Sequence, residues 1–425
     1  MIPGDIGAEL ARAIDAAVAD GELPAGARAR SGAAGTWRPV PAAAGGGPRT
    51  YATSLPFVLA EVTGLAAIPV AARLADRLRC VSWITAASVT GTGYLTVAVT
   101  ADTLAALAVR VTRAGDRCAS SDALAGTELP APADAALAGA ATWAQAWRRV
   151  TEAATARLAA AAGAKIKIKT DPERPVGAGP AATAGHARGG SGIAAAGSGP
   201  VARAGHGWDH SGIAAAGPGP AVPAGHARDQ SGVPGQGPRP AAAVGRAGPE
   251  PGPVAAAVAF AGADAIGYAL VRTRAGRAAR IDARSSVRQV LDNPFFAVRF
   301  AHADAASMLR WAEDLGLGRG APGEFEPSLL ALPPEQRLLA AISWLPARAA
   351  GAARRGQPHE FARYLEGLAA AYLDCRDSCP ALPFLGSSAP RAAAGTRARL
   401  WLASAARAAL GTGLRLLGID PPDRV

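Results

Sequence analysis

The sequence predicts an α+β protein with a small N-terminal α/β domain, a long disordered Gly/Pro/Ala linker and a C-terminal α-helical bundle. Three observations carry this. Apolar residues recur with helical spacing at both ends of the chain. Two β-rich runs near residue 90 are joined by Gly91-Thr92-Gly93. Between Lys165 and Val254 the large apolar residues almost vanish. At 425 residues the chain is long enough for two or three domains with real cores. The boundaries fall at 1–115 for the α/β domain, 116–164 for a helical extension, 165–254 for the linker and 255–425 for the bundle.

The first element is a helix over Asp5–Asp20, because Ile6, Leu10, Ile14 and Val18 repeat every four residues. Ser54–Val62 and Pro69–Leu78 read as two more helices. Together they form the most apolar stretch of the chain, but Glu61, Gly64, Pro69 and Arg73 interrupt it. A membrane-spanning helix needs about 20 unbroken apolar residues, so no membrane association is expected. Val81–Val89 and Tyr94–Thr100 read as strands of a hairpin. Ala131–Ala162, with Trp143 and Trp147, reads as helical. The N-terminus lacks a basic region ahead of an apolar run, so no secretory signal is expected and the location is read as cytoplasmic.

The linker carries a 20-residue repeat, with Ala-Gly-His ending at His186, His206 and His226 and Ser-Gly at Ser191, Ser211 and Ser231. Each unit offers at most one Ile or Val to bury, too little to offset chain entropy, so disorder is expected rather than a solenoid. His186, His206, His210 and His226 sit where nothing orders them as ligands. No metal and no cofactor is expected. Cys80, Cys118, Cys375 and Cys379 are read as buried and reduced, with no Cys or His pair near enough to complete a zinc site.

The bundle follows from amphipathic runs at Pro294–Leu315, Pro334–Ala353, His359–Leu373 and Ala389–Leu417. Asp292 and Asn293 before Pro294 form a helix start, with a capping side chain ahead of proline in the first turn. The net charge is +11, and 41 of the 44 basic residues are arginine, since only Lys165, Lys167 and Lys169 are lysine. The charge is uneven: Ala255–Val425 holds 21 Arg against 15 acids, whereas Met1–Ala164 holds 14 against 13. A basic C-terminal part suits a polyanion, which it binds by releasing counterions.

Several motifs in this part occur together and in order. DNPFFAVRFAHAD (Asp292–Asp304), QPHEFARYLEGLAAAYLDCRD (Gln357–Asp377) and LGTGLRLLGIDPPDRV (Leu410–Val425) resemble the DALR-type anticodon-binding domain of arginyl-tRNA synthetases, and upstream GADAIGYALVRT (Gly262–Thr273) resembles the segment that leaves that family's catalytic domain. YATSLPFVLAEVTG (Tyr51–Gly64) and GTGYLTVAVT (Gly91–Thr100) resemble the same family's extra N-terminal domain, with Thr50 in place of an aspartate. The resemblance implies that the helix from Asn293 faces RNA with Asn293, Phe296, Arg299, Phe300 and His302. It adds Arg363, Tyr364, Arg376 and Arg424 as further RNA-binding candidates. For each a structural role stays open: bundle core for Phe296, Phe300 and His302, and packing or ion pairing for the others. Two departures bear on base reading, because Ala297 replaces an aromatic residue and Asp304 replaces an arginine, an anion that would repel phosphate if exposed.

The synthetase family's HIGH-type and KMSKS-type motifs are not found, and no Walker-type loop is present. The resulting expectation is a catalytically incomplete, non-enzymatic paralogue that binds tRNA or another structured RNA. Its two ends would grip separate parts of one RNA, joined by about 90 linker residues spanning roughly 50 Å. The alternatives are a protein-interaction module that partners a synthetase, and an accessory subunit that assists arginine–tRNA ligation in trans. The sequence leaves the oligomeric state open.

Overall fold

The computed structural model describes residues 2–29, 37–40, 47–132, 136–167, 252–274, 281–382 and 390–425. The repeat-bearing linker and its four histidines lie outside them.

The N-terminal block opens with α1 (Ile2–Ala19), which buries Ile2, Ile6, Leu10 and Ile14 as its four-residue spacing requires. Next come β1 (Trp37–Pro39), β2 (Thr50–Thr53), α2 (Leu55–Thr63), α3 (Ala67–Leu78), β3 (Ile84–Thr90) and β4 (Tyr94–Val99). The four strands form one antiparallel sheet in the order β1-β2-β4-β3. Leu95, Val97 and Val99 alternate inward along β4 and pack with α3. The apolar run that raised the membrane question is two helices, α2 and α3, bent by 117° at the left-handed Gly64. No single described helix is long and apolar enough to cross a membrane.

The predicted hairpin is present, with both glycines at positive φ. A Cβ at Gly93 would lie 2.8 Å from that of Ala67, so the turn needs glycine there for space as well as conformation. Two strands of this sheet are additional to that hairpin. β1 and β2 are three and four residues long, too short to show alternation.

The block continues with α4 (Ala101–Ala105), α5 (Leu107–Ala114), β5 (Glu128–Pro130), α6 (Trp143–Ala161) and β6 (Lys165–Lys167). The expected helix over Ala131–Ala162 therefore begins later, at Trp143, where Thr142 caps it through the Gln145 amide. The start of the supposed linker is also ordered: Lys165–Lys167 pairs in parallel with Glu128–Pro130.

The C-terminal block consists of α7 (Pro253–Ala261), α8 (Ala263–Arg272), α9 (Ala283–Ser286), α10 (Pro294–Asp314), α11 (Pro333–Ser343), α12 (Leu345–Arg355), α13 (Pro358–Ser378) and α14 (Pro390–Leu417). One predicted helix, Pro334–Ala353, is two. The chain breaks at Trp344, and Pro346 supplies the second position of α12, where its missing N–H costs nothing.

The larger difference concerns the two ends. The described residues within 1–170 and 249–425 form one compact unit, not two bodies on a tether. A continuous core joins them: α5 packs along α14, and α6 lies against α12 and α8. Buried polar contacts fix the register of this seam. The Tyr51 and Ser343 hydroxyls share a hydrogen bond of 3.1 Å, with the Tyr51 ring 5.4 Å from that of Trp344. The Cys118 thiol donates to the Thr412 hydroxyl at 3.4 Å, and Trp147 Nε1 to the Thr273 carbonyl at 3.1 Å. Burial pushes the Tyr51 hydroxyl up to about 12, so it stays protonated and able to hold this bond. Of the four thiols expected to be buried, Cys118, Cys375 and Cys379 are, while Cys80 is exposed.

Candidate nucleic-acid interface

Helix α10 organises the candidate site. Asn293 caps it as its sequence predicts: Oδ1 accepts from the Phe295 amide at 3.2 Å. Its Nδ2 is also committed, donating to the carbonyls of Ser286 (3.1 Å) and Arg288 (2.7 Å). With both ends of the amide in use, Asn293 shapes the helix entry and has little left with which to read a base.

One turn apart on α10, Phe296 and Phe300 are partly exposed and stack with ring centroids 5.6 Å apart and planes 22° from parallel. The guanidinium of Arg376, from α13, lies 5.9 Å from the Phe300 ring centroid. Arg299 sits 5.0 Å over the Phe295 ring, and its Nε is buried without an acceptor. Of the nine residues singled out from sequence, Phe296, Phe300 and Arg376 are the three brought together into a surface. It is an aromatic platform edged by a cation.

Asp304 corrects an expectation. It accepts from the Tyr372 hydroxyl at 2.8 Å and from Arg376 at 2.9 Å, with its side chain only 17% exposed. The carboxylate is paired and largely covered, and it holds Arg376 beside Phe300; Arg376 also pairs with Asp377 at 2.7 Å. Sequence could not show this, because the pair is 72 residues apart.

Two other candidates are structural. His302 is buried, and its Nδ1 donates to the Pro422 carbonyl at 2.8 Å. It lies two residues from Phe300 and therefore faces away from the platform. A Cβ at Gly411 would meet His302 Nε2 at 2.9 Å, so the glycine of α14 makes room for the ring. Tyr364 points its hydroxyl at the Ala341 carbonyl, 2.8 Å away, and burial raises it above the ordinary phenol value. Arg363 and Arg424 are exposed but stand apart from the platform. Arg363 faces a cleft at the start of α10, and Arg424 follows a tail pinned by Arg407–Asp423 at 2.8 Å.

His302 gives this region a pH dependence. Burial holds its value below the usual 6.5, opposed by the Pro422 bond and lowered further by Arg407. The folded state thus binds a proton less readily than the unfolded chain, so stability rises with pH in this window. Acidification through pH 6.5 should lower the melting temperature, and His302→Gln should flatten that dependence. Melts at pH 7.5 and 5.5 test this, and an equal acid shift in both proteins would refute it.

Comparison with known proteins bears on this half of the chain. Residues 298–425 match the DALR anticodon binding domain family. An arginine–tRNA ligase of Kineococcus radiotolerans is 40% identical over 164 residues, which is 39% of this chain and 29% of that protein. The arginine–tRNA ligase of Renibacterium salmoninarum is 38% identical over 164 residues, with the same shares. The solved arginyl-tRNA synthetase of Thermus thermophilus aligns with a TM-score of 0.32 and 27% identity, covering 40% of this chain and 28% of that one. The chain thus spans less than a third of the length of the curated relatives it matches.

Proposed function

We infer that this chain, whose C-terminal part is related to arginyl-tRNA synthetases, binds tRNA or a related RNA and does not itself activate an amino acid. One observation carries the reading: the stacked, partly exposed Phe296–Phe300 pair with Arg376 at its edge, on the helix that runs into the matched domain. Unpaired bases are held by stacking on such rings, and arginine adds a cation to both base and phosphate. Ala297, in place of an aromatic residue, removes one stacking surface, which favours retained RNA affinity with relaxed base selection. The second half of the reading rests on the missing HIGH-type and KMSKS-type motifs, the groups by which this family handles ATP.

Binding of the full chain to unfractionated tRNA, titrated at several salt concentrations, tests the reading. Affinity should fall steeply with salt, as the +11 charge requires. Phe300→Ala should cost about 1–3 kcal/mol, roughly 5- to 150-fold in Kd, with little change in melting. In ATP–pyrophosphate exchange with arginine, the same preparation should show no turnover. Equal affinity of the wild type and Phe300→Ala would remove the platform from the account.

A further inference from the structure

A second feature lies at the N-terminal end of α10. Arg272, Arg274, Arg288 and Arg363 come from the end of α8, the residue beyond its cap, the stretch after α9 and helix α13, and all four line one open cleft of about 530 Å³. All four are exposed. Only Arg272 has a carboxylate partner, gripped by Glu366 through bonds of 2.7 and 3.3 Å. The guanidinium groups of Arg274, Arg288 and Arg363 make no ion pair with a described residue, and Asp292 is the one acid among the described residues of the lining. The floor is apolar, formed by Phe295 and by Tyr268, whose rings lie 5.7 Å apart.

Three unpaired guanidinium groups around one concavity repel one another, and a shared anion relieves that repulsion. Arginine presents a planar fork of donors that matches phosphate oxygens two at a time. A cleft of this volume admits a group of nucleotide size, whereas the convex face of a folded acidic protein does not reach its floor. The N-terminus of a 21-residue helix, α10, adds positive potential at the same place.

We propose that this cleft is a phosphate-binding site, taking either a backbone phosphate of an RNA strand or the phosphates of a free nucleotide. The RNA source rests on the RNA-binding reading above, because the cleft abuts Asn293–Phe295, one turn before the Phe296–Phe300 platform. The free-phosphate source does not depend on it.

The test uses full-length protein, inorganic pyrophosphate and tRNA. Arg274→Gln/Arg288→Gln removes two charges that make no ion pair with a described residue, so its melting temperature without ligand should be no lower than that of the wild type. Arg38→Gln removes one exposed arginine of β1 that makes no ion pair with a described residue, and measures the effect of a single charge lost away from the cleft. Pyrophosphate at low ionic strength should stabilise the wild type and Arg38→Gln. It should bind the double variant about ten-fold or more weakly, as expected for lost charged hydrogen bonds. No stabilisation of the wild type, or equal stabilisation of the double variant, overturns the proposal. With tRNA, a salt slope shallower by about two in the double variant identifies the ligand as backbone phosphate. An unchanged slope, or no tRNA binding, alongside the pyrophosphate effect assigns the cleft to a free phosphate compound. In the second case the RNA-binding reading fails while the site stands.

Discussion

Arg399→Ala should destabilise the protein by about 3–5 kcal/mol, the cost of leaving a buried charge uncompensated. Glu335 is fully buried at the third position of α11, where one carboxylate oxygen accepts from the Leu332 amide at 2.9 Å. The other accepts from Arg399 Nε, across from α14, at 2.8 Å, while Arg399 also donates to the Pro380 carbonyl at 3.1 Å. Removing the guanidinium leaves an anion with one backbone donor and the helix N-terminus to stabilise it. The pair as a whole contributes far less than this, because desolvation cancels most of its attraction. The double variant Glu335→Leu/Arg399→Leu should therefore be more stable than Arg399→Ala. Urea unfolding compares the three, and a loss below about 1 kcal/mol for Arg399→Ala would show that water reaches Glu335.

Expressed as separate chains, residues 1–167 and 252–425 should fold as a 1:1 complex, and neither should behave as a folded monomer alone. The reason is the shared core. Separation would expose Tyr51, Leu107 and Val111 on one side and Ser343, Ala405 and Ala409 on the other, all buried in the intact unit. Each large apolar side chain returned to water costs about 1.5–3 kcal/mol, so about five of them amount to the 5–15 kcal/mol that holds a typical domain together. Co-purification followed by size-exclusion chromatography and circular dichroism checks this. Two soluble, folded halves that ignore each other would contradict it.

This packing also changes what the protein is expected to do with an RNA. Ends that grip distant points on a tether would act by effective concentration. A single unit instead offers one continuous surface, on which the platform at Phe296–Phe300 and the arginine cleft beside Asn293 have fixed separation.

Much of the local structure was legible in the sequence. The four-residue repeat of α1, the Gly91-Thr92-Gly93 turn and the Asn293–Pro294 helix start each rest on interactions within a few residues, so their signals are written contiguously. The same is true of the domain at 298–425, whose resemblance lies in ordered motifs. The roles of the site residues were less legible. Phe296, Phe300, His302 and Tyr364 look alike in an amphipathic pattern, yet the first two stack on each other at the surface, His302 is buried against Pro422, and Tyr364 turns its hydroxyl in to Ala341. The arginine cleft gave no signal, because Arg272, Arg274, Arg288 and Arg363 are spread over 92 positions and carry no motif.

Local residue patterns specify the helices, the hairpin, the basic C-terminal part and its relation to an anticodon-binding domain. These are properties of periodicity, composition and linear motif. Packing between distant elements makes the two ends one body, sets Asp304 against Arg376 and gathers four arginines into one cleft. Each of those depends on which distant element covers a given face, and a burial pattern records that a face is covered without recording by what.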